Sequence, residues 1–192
     1  MVPEIKVDGT ACLAGALLLL ILPAKWLAGA FAAAMIHELC HWGMILLAGG
    51  CVYSLRIGLG GAGMETSPLT DIQELLCALA GPMGSFLLVS FRRIFPQTAV
   101  CALVQGTFNL LPLYPMDGAR ILRCGAALLL PQYADGIIKI SEAFTIAGLA
   151  VGGTCLFLEG SLGFGPLILT GIVILKGILR KIPCKAGRVG VQ

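Results

Sequence analysis

Apolar residues fill long segments of this chain, and six of these segments approach or reach the length needed to cross a lipid bilayer. A spanning helix needs about 20 mostly apolar residues, with about 17–25 as the usual range. The segments lie near residues 7–22, 26–47, 71–91, from 98 past Asp117, 141–158 and 164–179. This pattern predicts an all-α polytopic membrane protein with about six transmembrane helices.

Proline, glycine or charged residues mark the ends of several of these segments. Pro23 closes the first, Gly49 and Gly50 end the second, and Arg92 and Arg93 follow the third. A cleaved signal peptide is the alternative for the first segment, but acidic residues accompany Lys6 at its start, so the positively charged region of a signal peptide is missing. We expect a retained helix.

The pattern changes between the second and third segments, where large apolar residues alternate with small or polar ones from Tyr53 through Leu55 and Ile57. Alternation with a period of two is typical of a strand. Glycines interrupt it, and residues 64–66 could return as a second strand. A short membrane-associated hairpin is predicted, with a flexible glycine-rich loop as the alternative. Thr70 and Gln73 then have the spacing of a capping box, which predicts the start of the third helix.

Composition agrees with a lipid environment, since 58% of the residues are hydrophobic and only 12% are charged. The net charge of +3 does not favour nucleic acid as a partner. If the N-terminus is cytoplasmic, every Lys and Arg except Lys25, Arg92 and Arg93 faces the cytoplasm, as the positive-inside rule expects. The prediction is a multi-pass protein of a prokaryotic cell membrane with both termini cytoplasmic, forming one domain over residues 1–192.

The strongest chemical signal is HExxH, formed by His37, Glu38 and His41 inside an apolar segment. Histidines four residues apart project from one face of a helix, which suits zinc coordination. Glu38 can act as general base on a water in the open coordination position. The alternative is a buried polar group that joins helices. Cys40 lies within the motif, but as a further ligand it would close the position that water needs.

A carboxylate is the natural third ligand, because His37 and His41 are the only histidines. The candidates in or beside apolar sequence are Asp71, Glu74, Asp117, Asp135 and Glu142. Asp117 is favoured because Pro112 and Pro115 interrupt the segment before it, and a broken helix within a membrane is tolerated where it lines a cavity. Its alternative is a helix N-cap.

Asn109 lies on the same interrupted segment. Its side-chain amide could stabilise the oxyanion formed when water attacks a peptide carbonyl. Hydrogen bonding between helices is an equal alternative on physical grounds.

Three motifs together resemble the site-2 protease family of intramembrane metalloproteases: HELCH at 37–41, AGPMGS at 80–85 and NLLPLYPMDG at 109–118. The resemblance implies one catalytic zinc ion held by His37, His41 and Asp117, with Glu38 as the base and Asn109 supporting the substrate or oxyanion. It also implies strands near the site. A transmembrane protein substrate, unwound into an extended strand, would then add to an exposed edge at Tyr53, Leu55 and Ile57.

Departures from the family pattern are Ser85, where relatives often carry Asn, and Ala119, where a second Gly is common. Neither a PDZ domain nor a C-terminal nucleotide-sensing domain is expected. The compact form resembles the branch of stage IV sporulation protein FB, which implies a sigma-factor precursor as substrate and a membrane protein as regulator.

Two other functions fit parts of the sequence. A membrane zinc transporter would also place His and acidic residues within helices, but transport usually needs several weak sites along a path. A catalytically inactive relative could act as a binding partner, although intact His37, Glu38, His41 and Asp117 argue against it.

Overall fold

A computed structural model describes residues 4–9, 19, 23–58, 61–158 and 171 of the protein. The chain divides into two compact units, Met1–Ile138 and Lys139–Gln192. The described elements, in chain order, are β1 (Glu4–Val7), α1 (Ala24–Leu47), β2 (Val52–Gly58), β3 (Gly61–Thr66), α2 (Asp71–Val89), α3 (Pro96–Asn109), α4 (Asp117–Leu129), a 3-10 turn (Pro131–Tyr133) and α5 (Ala134–Leu158). The elements β1 to α4, which lie in the first unit, build the candidate site.

Three helices among the described residues are long and apolar enough to cross a membrane: Ala24–Leu47, Asp71–Val89 and Pro131–Cys155. They correspond to the predicted second, third and fifth segments. The predicted sixth segment and most of the first lie outside the described residues. The described part of the chain therefore supports a membrane protein, while the count of six spans stays a prediction.

Helix α1 is apolar on all sides, as expected of a helix that contacts both protein and lipid. The stripe buried within the protein consists of Gly29, Ala33, His37, His41 and Ile45. The exposed apolar stripe includes Phe31, Met35, Leu39 and Leu46. The only two histidines of the chain therefore lie on the protein-facing stripe.

Helix α2 packs against α1, α3 and α4. Its start is the predicted capping box: the Thr70 hydroxyl accepts from the Gln73 backbone N–H, and the Gln73 side chain accepts from the Thr70 backbone N–H. The Gln73 amide also donates to the Ala48 carbonyl at 3.0 Å, which links the start of α2 to the end of α1. These bonds set the position of α2 beside the histidine-bearing helix.

The predicted fourth segment is broken in two, as its prolines indicated. Helix α3 has 14 residues and α4 has 13, so each is shorter than the roughly 20 residues of a span. Pro112 and Pro115 lie in the loop between them. Gly118 explains how the loop folds back, because a Cβ there would overlap the carbonyl oxygens of Leu110 and Leu111.

The predicted hairpin is confirmed: β2 and β3 pair antiparallel, from Gly58 with Gly61 to Val52 with Thr66. A third strand, β1, pairs with β2 in parallel, giving the order β1-β2-β3. This strand was not predicted, and assigning Val7 to the first helix was wrong. The sequence Glu-Ile-Lys-Val alternates polar and apolar residues, which suits a strand.

Polar side chains join β2 to β3. The Ser54 hydroxyl donates to Glu65 at 2.7 Å, and Arg56 pairs with Glu65 at 2.9 Å. The hydrogen bond from Ser54 and the charge of Arg56 lower the pKa of the Glu65 carboxyl. These contacts stabilise the hairpin outside the apolar helices.

Candidate metal site

Three ligand atoms from distant parts of the chain meet in the first unit. Nε2 of His37 and Nε2 of His41 lie 3.1 and 3.0 Å from Oδ2 of Asp117, and the two nitrogens are 3.2 Å apart. All three side chains are buried, with residue exposures of 1%, 6% and 8%. Among the described residues, this is the group of His, Cys, Asp and Glu atoms close enough to hold one metal ion.

Helix α1 positions the two imidazoles. A spacing of four residues places His37 and His41 one turn apart on the buried stripe. Their ring centroids are 4.7 Å apart with an interplanar angle of 84°, and this angle brings both Nε2 atoms to one point.

The break between α3 and α4 positions the carboxylate. Asp117 is the first residue of α4, and the N-cap is Met116, so the alternative interpretation of Asp117 as an N-cap is wrong. The chain reverses through the proline-containing loop, and Oδ2 of Asp117 lies within 3.1 Å of Nε2 of both histidines. The other candidate carboxylates, including Asp71 and Glu74, do not belong to the metal-binding group found among the described residues.

The donor set and spacing fit zinc. Zinc binds imidazole nitrogen and carboxylate oxygen at about 2.0–2.1 Å, so tetrahedral ligand atoms lie about 3.3 Å apart. The three distances of 3.0–3.2 Å are close to this value. Three protein ligands with one position left for water are also the pattern of catalytic rather than structural zinc sites.

The ring nitrogens that face away from Asp117 are bonded to α2. Nδ1–H of His41 donates to the Cys77 carbonyl at 2.7 Å, and Nδ1 of His37 lies 2.9 Å from the Ser85 hydroxyl. Metal-binding histidines almost always have such a partner, which selects the tautomer and the ring orientation.

Two glycines of α2 let it approach α1 closely. A Cβ at Gly81 would overlap the imidazoles of His41 and His37, and a Cβ at Gly84 would overlap the Cys40 thiol. Neither glycine was predicted to belong to the site, but Gly81 provides the space that the metal-facing rings occupy. Cys40 contacts α2 at Gly84.

The predicted catalytic residues are next to the metal-binding group. The amide nitrogen of Asn109 lies 3.2 Å from Nε2 of His37, although 72 residues separate them in sequence. Glu38 follows His37 directly in α1 and is half-buried. Asn109 is therefore close to the point where the three ligand atoms meet, and Glu38 lies between the two histidines in the sequence of α1.

The predicted substrate-binding residues lie in β2, which is the central strand. Ile57 and Leu55 pair with both β1 and β3, so an extended substrate cannot add to β2 at these positions. The outer edges belong to β1 and β3. The expectation that β2 offers an exposed edge was wrong, because the N-terminal strand occupies it.

The fold can be compared with known structures. The chain is similar to a solved structure described as the site-2 protease from Methanocaldococcus jannaschii, with a TM-score of 0.61 and 20% sequence identity over 98% of this chain and 93% of that one. This chain has the site-2 protease fold. No protein-family model matches the chain, and no curated protein matches it either. The predicted resemblance to site-2 proteases is therefore confirmed for the fold, while the stage IV sporulation protein FB branch stays a prediction.

Four groups that contact the candidate site were not predicted from sequence. Ser85 was noted only as a departure from the common Asn, and no site role was predicted for Gly81 or for Arg120, whose Nη1 lies 3.7 Å from Oδ1 of Asp117. A polar residue inside the apolar α2 was the available signal for Ser85. The Cys77 carbonyl had no sequence signal, since every residue carries one.

Proposed function

We propose that the protein is an intramembrane zinc metalloprotease that hydrolyses a peptide bond in or near a transmembrane segment of another membrane protein. The observation that carries this proposal is the convergence of His37, His41 and Asp117 to within 3.2 Å beside Glu38, in a chain with three helices apolar enough to cross a bilayer. The site-2 protease fold supports it independently.

The residues divide the chemistry of hydrolysis between them. When bound by His37, His41 and Asp117, a zinc ion would supply Lewis acidity and lower the pKa of a coordinated water. Glu38 takes a proton from the attacking water and passes it to the leaving amine, as a general base and then acid. The Asn109 amide donates a hydrogen bond to the oxyanion that develops on the substrate carbonyl.

The burial of the three candidate ligands supports proteolysis of a membrane substrate. The three ligands are almost fully enclosed, so a substrate must enter as a narrow, extended chain. A transmembrane helix satisfies its own backbone hydrogen bonds and must unwind before its peptide bonds are accessible. The sheet offers outer edges on β1 and β3 for holding such an unwound segment by strand addition.

Side chains of β2 can still contribute to substrate binding. Leu55 and Ile57 are half-buried and Tyr53 is exposed, so an extended segment lying across their face of the sheet would contact them. The sigma-factor precursor, the membrane regulator and the cytoplasmic position of both termini remain predictions that depend on the branch and on charge distribution.

The decisive experiment is co-expression with a panel of membrane-tethered substrates, comparing the wild type with Glu38→Gln. Loss of a general base lowers the rate by about 100- to 10,000-fold. We expect cleavage to disappear while the purified variant still binds zinc. Asp135→Asn, which changes an exposed carboxylate at the start of α5, is the matched control and should cleave normally.

Two results would contradict the proposal. One is equal cleavage by the wild type and Glu38→Gln. The other is purified wild-type protein that binds no stoichiometric zinc. Zinc uptake into liposomes without any cleavage would favour the transporter alternative instead.

A further inference from the structure

Each of the three candidate metal ligands has a second polar contact on an atom other than the one that faces the metal position. All three contacts connect the ligand to α2, directly or through one further residue. His41 bonds to the Cys77 carbonyl, and His37 bonds to Ser85. Asp117 is reached indirectly: its Oδ1 lies 3.7 Å from Arg120 Nη1, and Arg120 Nε lies 3.5 Å from Glu74 on α2.

The participating positions of α2 share one helical face. Glu74, Cys77, Gly81 and Ser85 follow one another at intervals of three or four residues, which places them in a line along the helix. Gly81, in the middle, provides space for the imidazoles, while the positions on either side supply hydrogen-bonding or charged groups. One face of α2 therefore contacts both histidines and is linked through Arg120 to Asp117.

We infer that Ser85 and Arg120 are positioning residues of the metal site, through which α2 sets the orientation of His37 and Asp117. This inference rests on the proposed function, because it assigns roles toward the metal that the proposed protease uses. Neither residue contacts the substrate in this scheme.

Ser85 acts on the tautomer of His37. A neutral imidazole carries one ring proton, and its other nitrogen has the lone pair that binds metal. With Nδ1–H donated to the Ser85 hydroxyl at 2.9 Å, the lone pair is on Nε2, where Asp117 and His41 converge. Ser85 is 0% exposed, so no bulk water can replace the hydroxyl as acceptor.

Arg120 acts on the rotation of the Asp117 carboxylate. The two carboxylate oxygens have different neighbours: Oδ2 faces both imidazoles and Oδ1 faces the guanidinium. The ion pair favours the orientation in which a single oxygen is presented to the metal. A carboxylate that binds through both oxygens would occupy the position that water needs.

Arg123 provides an internal comparison. It pairs with the same Glu74 carboxylate, at 2.5 Å, and is more exposed than Arg120. Removing Arg123 therefore tests the loss of an ion pair between α2 and α4, while removing Arg120 also removes the charge beside Asp117.

The test uses the purified full-length protein and measures zinc affinity by chelator competition and the absorption spectrum of the cobalt(II)-substituted protein. Loss of an outer partner of a metal ligand typically costs about 10- to 100-fold in affinity. We expect this loss in Ser85→Ala and Arg120→Ala, together with a changed cobalt spectrum. Ser85→Thr, which keeps the hydroxyl, should restore both properties.

Two controls separate positioning from general stability. Ser54→Ala removes a buried, hydrogen-bonded serine hydroxyl in the sheet, and Arg123→Ala removes the neighbouring ion pair. Both should keep wild-type zinc affinity and spectrum. Arg120, whose side chain is 36% exposed, keeps the inference testable if Ser85→Ala does not fold.

The inference is overturned if Ser85→Ala and Arg120→Ala bind zinc with wild-type affinity and show the wild-type cobalt spectrum while His37→Ala loses the metal. That result would leave the proposed function intact. If His37→Ala also binds the metal as the wild type does, the proposed function fails as well.

Discussion

Two imidazole nitrogens and one carboxylate oxygen lie within 3.2 Å of one another in a buried site, a spacing that suits coordination of one metal ion. With Nδ1 of His41 donating to a backbone carbonyl, its Nε2 in the neutral ring is a lone-pair acceptor. The ionised Asp117 carboxylate likewise offers only hydrogen-bond acceptors. A metal ion satisfies all three at once, which is why single residues around this point should control metal binding before they control stability.

Gly81→Ala should impair metal binding. The added Cβ would overlap the imidazoles of His41 and His37, and forced shifts in a packed site cost about 1–3 kcal/mol. We expect lower zinc stoichiometry and lower activity. Gly43→Ala, at a position on α1 with no heavy atom within 4 Å of the added Cβ, is the control and should bind zinc normally. Normal zinc content in Gly81→Ala would refute the packing described for this glycine.

Asn109→Ala should separate catalysis from metal binding. Removing one oxyanion donor lowers kcat by about 100- to 1,000-fold. We expect that loss with zinc content unchanged, since the proposed ligands are His37, His41 and Asp117. Thr107→Ala, at an exposed position of the same helix, should have wild-type kcat. If zinc is lost together with activity, Asn109 supports the site instead of the oxyanion.

At the scale of elements, the sheet differs most from expectation. The N-terminal strand pairs with β2, so the open edges belong to β1 and β3. Backbone pairing on both sides of β2 leaves its side chains as the groups that can contact a substrate. Helix α2, whose Cys77 carbonyl and Ser85 hydroxyl bond to the two histidines, packs against α1, α3 and α4.

Leu55→Ala and Ile57→Ala should weaken substrate use if an extended segment lies across their face of the sheet. Losing apolar contacts costs about 1–2 kcal/mol, or roughly tenfold in kcat/KM. Arg56→Ala, which is at the intervening position and pairs with Glu65, is the control. Equal kcat/KM for all three variants, measured on one tethered substrate, would remove the sheet face from the substrate path.

At the scale of the whole molecule, the proposed ion joins α1 to α4 across 76 residues of sequence between His41 and Asp117. Without a cation, the buried carboxylate and the imidazoles must be protonated or separate, both of which weaken this connection. Metal occupancy should therefore be coupled to the stability of the folded first unit.

Zinc removal should lower the thermal unfolding temperature of the purified protein, and zinc should restore it. Ligand at about 1,000 times its Kd stabilises the folded state by about 4 kcal/mol. Asp117→Ala, which lacks one ligand, should respond much less to chelator and to added zinc. A wild-type melting temperature that is insensitive to both treatments would argue against a metal that links α1 to α4.

Much of the site was predictable because polar and charged residues are rare within the apolar segments of this chain. His37, Glu38 and His41 need only helical periodicity to share a site, and Pro112 and Pro115 mark the broken segment before Asp117. The helix bounds of α1 and α2 and the β2–β3 hairpin follow from local pattern in the same way. In contrast, Val7 was misassigned because four residues of alternation are too short to outweigh the apolar run that follows.

The sequence by itself determined which residues can bind a metal and which segments favour lipid, since both depend on side-chain chemistry and local periodicity. Only the tertiary structure decided which of five carboxylates meets the histidines and that Gly81 makes room for their rings. It also decided that Ser85 and the Cys77 carbonyl bond to those rings while Arg120 pairs with Asp117. These are contacts between residues far apart in sequence, and they exist only where packed helices bring the backbones together. The parallel pairing of β1 with β2, which moves the open edges of the sheet, has the same origin.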